Sequence, residues 1–226
     1  KINTMPKNKQ KKAQVIEIPK AILFIAKLLQ ALSPLLTTKF AAKLFTTPIK
    51  HKLPKRELNM ERESVQKSIL IPEIQKEIVV YEYGKSEKKI LLVHGWSGRG
   101  TQLVKIADEM LKIGYMTVSF DAPAHGKSKG NSSIMIEFIA SILAIDKQFG
   151  PFEFAIGHSL GGMSVLNAMK QNFKVKKAIT LGSGDIIQDI IDDFICKLKL
   201  KPEFGIRLRD YFEAKYGGKM EDYSAY

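Results

Sequence analysis

FEFAIGHSLGG, residues 152–162, decides the fold. Its first half is a short β-branched and aromatic run, as a buried strand requires, and its second half opens the apolar periodicity of a helix over 160–172. Between them stands G-x-S-x-G, with Gly157, His158, Ser159, Leu160 and Gly161 in consecutive places. A serine on a turn this tight has a strained backbone, and side chains two positions before and after it would collide, so both places call for glycine. The turn lifts the Ser159 hydroxyl clear of the sheet. It also aims the amide of Leu160 and the positive end of the following helix at the same point. Ser159 is therefore the candidate nucleophile.

Working outward, strand-like and helix-like segments alternate. SILI (68–71) and EIVVYEY (77–83) read as early strands joined around Pro72, and KILLVHG (89–95) as a strand buried on both faces. A helix over about 101–113, a strand over 115–121, a helix over about 132–148, the strand at 152–158 and a strand over 176–183 follow. This order predicts an α/β protein, a mostly parallel sheet with helices on both faces and ligands at the carboxyl ends of the strands. After residue 184 the alternation stops and two helical stretches follow. The chain divides into an N-terminal arm (1–56), an α/β core (57–184) and a helical segment (185–226).

Two further loops lie at strand ends. His94-Gly95-Trp96-Ser97-Gly98 ends the buried strand, where the amide of Trp96 can join that of Leu160 in holding a negative oxygen. His94 and Gly95 are expected to brace this loop rather than to react. DAPAHGKS (121–128) imitates a phosphate-binding loop, but the required first glycine falls on Asp121, so the match fails. Asp121 and His125 are expected to tie their loop together. GWSGRG (95–100) lacks the dinucleotide glycine order, and no metal-ligand spacing is present, so neither a cofactor nor a metal is expected.

The trio HGW, DAPAHGKS and GHSLGG, in this order on alternating strands and helices, resembles the α/β-hydrolase superfamily. The resemblance covers residues 66–184 strongly. It implies Ser159 as nucleophile, an oxyanion hole from the amides of Trp96 and Leu160, and supporting places for His94, Gly95, Gly157, His158 and Gly161. Residues 185–226 fall where many relatives insert a helical cap. The implied activity is cleavage of a small-molecule carboxylic ester or related acyl bond through an acyl-enzyme. A thioesterase, an acyltransferase or a non-catalytic binding protein of the same fold are the alternatives. The family order is nucleophile, acid, histidine, yet all four histidines precede Ser159. The last two strands with the acid and base are therefore expected beyond Tyr226, and the polypeptide 1–226 is expected to be nearly inactive. Some relatives place the acid where Asp185 stands; its other reading is the N-cap of the next helix.

The net charge of +13 is uneven, since residues 1–56 hold 13 Lys and Arg against the single acid Glu17. A nucleic-acid enzyme would carry its positive field on the globular body, so nucleic acid is not the expected partner. Within the arm, Ile22, Ile25, Leu28, Leu29, Leu32, Leu35 and Leu36 recur at helical spacing, with a break at Ser33-Pro34. Lysines interrupt every run long enough to span a bilayer. Residues 20–45 then either pack on the core or lie on an anionic membrane surface, and the expected location is the cytoplasm, with the inner membrane face as the place for the second arrangement. Cys196, the one cysteine, is expected as a small packing residue in a helix.

Overall fold

The computed structural model describes residues 18–224. Six strands form one sheet in the order β1-β2-β4-β3-β5-β6: β1 (Val65–Ile71), β2 (Lys76–Tyr83), β3 (Lys89–Val93), β4 (Met116–Asp121), β5 (Phe154–His158) and β6 (Lys177–Leu181). β1, β2 and β4 are joined antiparallel, while β4, β3, β5 and β6 run parallel. β3 is covered on both sides, as its unbroken apolar run requires. Ile90 and Leu92 join one core cluster and Leu91 and Val93 the other. On the first side lie α3 (Leu58–Glu63) and α4 (Val104–Lys112). On the second lie α5 (Met135–Phe149) and α6 (Leu160–Lys170).

Two helical pairs extend the second layer. α1 (Lys20–Leu32) and α2 (Pro34–Phe45) break at Ser33, whose hydroxyl accepts the Leu36 amide at 3.4 Å and caps α2. α2 rests on α8 (Glu203–Tyr216), which follows α7 (Ile187–Lys197), and Gln30 accepts the Lys201 amide at 2.8 Å. The arm docks through small residues, Ala26, Thr37, Thr38, Ala41 and Ala42, which are buried. Of the apolar stripe, Ile22 and Leu29 are half-buried and the other five are exposed. At the other edge of the sheet, β6 exposes Ile179 and Leu181.

Two side chains depart from the sequence reading. Cys196 lies on the outer face of α7, because Ile187, Ile191 and Ile195 take the buried stripe. Asp185 does not cap that helix. The N-cap is Ile186, Asp185 accepts the neighbouring Ile186 amide at 3.0 Å, and the Ile187 amide donates to Ser224 Oγ at 3.1 Å instead.

Candidate active site

Ser159 stands between the end of β5 and the start of α6 with φ 51° and ψ −123°, a left-handed conformation that a side-chain-bearing residue holds only under constraint. The constraints are visible. The Ser159 amide donates to Leu181 O at 2.9 Å, and its carbonyl accepts from the Gly162 amide at 2.9 Å and from Ser183 Oγ at 3.0 Å. A Cβ at Gly157 would lie 2.5 Å from Gly162 Cα, and one at Gly161 would lie 2.4 Å from the carbonyl oxygens of both Val93 and His94. The two glycines let strand, turn and helix pack with backbone against backbone.

The loop after β3 lies directly on this elbow. A Cβ at Gly95 would come 2.8 Å from His158 Nδ1 and 3.1 Å from Ser159 Cβ. Gly95 to Gly98 form a turn closed by a 3.0 Å bond from the Gly98 amide to Gly95 O, with Ser97 at φ 57°. The amides of Trp96 and Leu160 donate to no acceptor among the described residues. No hydrogen bond from the described residues reaches Ser159 Oγ either.

Ser159, Trp96, Leu160 and Met163 line a cavity of about 360 Å³. Leu44 and Phe45 of α2, Phe194 of α7 and Met220 contribute to the rest, so the walls are predominantly apolar. A cavity of this size accommodates a small organic molecule.

Residues 88–205 match the family model for the alpha/beta hydrolase fold. The chain belongs to the α/β-hydrolase fold family. Among solved structures it is similar to an esterase from Exiguobacterium antarcticum (18% identity, TM-score 0.52, covering 66% of this chain and 60% of that one). It is also similar to an esterase from Pyrococcus furiosus (15% identity, TM-score 0.56, covering 78% and 70%). A thioesterase domain from the curacin biosynthetic pathway aligns at 18% identity and TM-score 0.50 over 64% of each chain. At such identities the likeness is one of fold. The chain thus spans less than two thirds of the first esterase's length. A search of curated proteins returns no match.

In this α/β-hydrolase chain the imidazole of His94 braces the loop. Its Nε2 accepts the Ala122 amide at 3.0 Å, so Nδ1 carries the proton and donates to Gly95 O at 2.7 Å. With its lone pair engaged and its ring buried, it is not placed to take a proton. Burial, with His125 adding to it, pushes its pKa down to about 3. His125 donates from Nδ1 to Pro123 O at 2.9 Å and packs edge-on against Trp96, with ring centres 5.1 Å apart. Burial lowers its pKa to about 4. Asp121 ties three segments together, accepting from the Gly100 amide at 2.7 Å, the Lys127 amide at 2.7 Å and Tyr81 OH at 2.8 Å. Burial pushes its carboxyl up while the two amides and the hydroxyl pull it back.

These two neutral histidines set a pH dependence. Both resist protonation in the fold but titrate near 6.5 once exposed, so between about pH 6.5 and 4 the unfolded chain binds more protons. Stability is complete above that window and falls as pH drops through it, by about 1 kcal/mol per pH unit for each histidine. Asp121, protonated in the fold at higher pH than in the unfolded chain, offsets part of this loss toward the acid end. Urea midpoints measured from pH 7 to 5 should fall, and His125→Asn, which keeps a donor for Pro123 O, should reduce the slope by about half.

Sequence reasoning missed the contribution of the arm. Leu44 and Phe45 line the cavity, the Ile49 amide donates to Ser97 Oγ at 3.0 Å, and the Ser133 amide donates to Thr46 O at 2.8 Å. Glu57, which is buried, accepts from Thr101 Oγ1 at 2.8 Å and pairs with Arg99 at 3.7 Å. The one signal for this was the apolar pair Leu44-Phe45 at the end of the stripe.

Proposed function

We propose that this chain carries the nucleophile and acyl-binding parts of a serine hydrolase acting on carboxylic esters or related acyl compounds with an apolar acyl group. The observation that carries the reading is Ser159, held in a left-handed turn and lining an apolar cavity. Its Oγ forms a bond to the substrate carbonyl carbon, and the carbonyl oxygen takes up the charge between the unengaged amides of Trp96 and Leu160. The bond to the leaving group then breaks, and the leaving group departs with a proton. Water attacks the acyl-enzyme, releasing the acid and restoring the hydroxyl. Esters and thioesters share this carbonyl chemistry and differ in the leaving group.

The hydroxyl proton needs a base, and no described residue bonds to Ser159 Oγ. In the polypeptide 1–226 that proton goes to solvent, and ester turnover should stay near the level supported by oxyanion binding alone, about 10³–10⁴ over water. Prolonged incubation with an alkyl fluorophosphonate should modify Ser159, located by peptide mass spectrometry, and Ser159→Ala should take up no label. Modification of another serine, or none, would overturn the nucleophile assignment.

That no described residue bonds to Ser159 Oγ favours one second reading, a binding module for apolar carbonyl compounds. Trp96, the single tryptophan, reports on it. Fluorescence quenching by a long-chain ester, with no fluorophosphonate label at any time, is the result expected of that reading.

A further inference from the structure

The arm turns its larger apolar side chains away from the protein. In α1 the exposed residues Phe24 (69%), Ile25, Leu28 and Leu32 (69%) fall within about one third of the helix circumference, at 100° per residue. The buried Ala26 lies on the opposite side. In the first turn of α2 Leu35 and Leu36 are exposed too, and Lys39 and Lys43 share their side of that helix at 100° per residue. Lys20 and Lys27 flank the stripe of α1, and both are exposed. Residues 18–56 contain no acidic residue, and residues 1–17 add five lysines against Glu17. Six exposed large apolar side chains fall within residues 24–36 without an intervening acid, a concentration that water alone does not explain.

We infer that this face of α1 and α2 docks on an anionic lipid bilayer, with Phe24, Ile25, Leu28, Leu32, Leu35 and Leu36 entering the boundary of headgroups and acyl chains. Lys20, Lys27, Lys39 and Lys43 bind the lipid phosphates. The charge selects this occupant over a second copy of the chain, because two such faces would bring four lysines of each against the other. The lengths agree. The helices have 13 and 12 residues, and no helix among the described residues is long and apolar enough to cross a membrane, so the pair lies in the interface plane. Docking through small residues leaves the patch free without unpacking the arm. The lysines extend their aliphatic stems along the same surface, with their ammonium groups at headgroup level.

The test is co-sedimentation of the full chain with vesicles of phosphatidylcholine alone and of phosphatidylcholine mixed with phosphatidylglycerol, at low and high salt. The chain is expected to pellet with the anionic vesicles and to be released several-fold by salt. The double variant Leu28→Asp/Leu32→Asp should weaken binding by at least about tenfold, with unchanged circular dichroism and melting, since both residues are exposed. A Phe24→Trp variant should shift its emission to the blue on the anionic vesicles. Three results would overturn the proposal: no pelleting, equal pelleting of parent and double variant, or a concentration-dependent dimer in sedimentation equilibrium that the double variant abolishes.

Discussion

Gly161→Ala is expected to cost the chain about 3 kcal/mol or more in urea unfolding, enough to leave a domain of ordinary stability marginal. Alanine is the better helix former by about 1 kcal/mol, and on an open helix the substitution would stabilise. Here the added methyl meets two carbonyl oxygens, those of Val93 and His94, each 2.4 Å from the ideal Cβ position. Both belong to the backbone at the carboxyl end of β3, and neither can swing aside as a side chain would. Relief requires α6 to move off β3, which opens the cluster formed by Met163, Val165 and Ala168. Collision therefore outweighs propensity. Gly114→Ala is the control, since Gly114 has φ +85° but nothing within 4 Å of its ideal Cβ. Its cost should be the conformational one alone, about 1 kcal/mol. Equal losses in the two variants would refute the backbone-contact account of the elbow.

Asp121→Ala should have a comparable effect, a loss of about 3–5 kcal/mol, summing partial penalties for three donors left without an acceptor. Those donors are the Gly100 amide, the Lys127 amide and Tyr81 OH. The carboxylate is costly to bury, which is why its pKa rises, and Asp121→Asn removes that cost while keeping the shape. The asparagine amide then points its own hydrogens at one of the donors, so an intermediate loss of about 1–3 kcal/mol is expected. Gly100 begins the short helical turn that follows the Trp96 loop, so loosening it should also slow fluorophosphonate labelling of Ser159. An alanine variant with unchanged urea midpoint and unchanged labelling would show that the three segments are held by other means.

The elbow, the buried strand and the order of strands and helices were legible in the sequence because each rests on local constraints. Gly157 and Gly161 flank Ser159 within a few residues, and the steric rule that requires them acts over that distance. KILLV has no polar alternation, so the only place for it was a strand covered on both sides. His94 was read as a brace for the same reason, its position at the strand end fixing which way the ring lies. Helix limits shifted by a few residues where a 3-10 turn intervened, as at Gly100–Leu103 ahead of α4.

Long-range packing decided what periodicity left open. An apolar stripe at helical spacing predicts a buried face only when the helix has no better face to bury. In α2 the alanines and threonines permit close approach to α8, a helix some 160 residues away in sequence, and Leu35 and Leu36 turn outward. The same physics put Cys196 at the surface, where three isoleucines on α7 claimed the core side. It also left Asp185 beside its neighbour's amide, with Ser224 supplying the bond to Ile187. By itself the amino-acid sequence determined the sheet, the turn and the serine at its tip. The tertiary structure alone decided that Leu44 and Phe45 wall the cavity and which side of the arm faces water, because those outcomes depend on contacts between segments that no local rule relates.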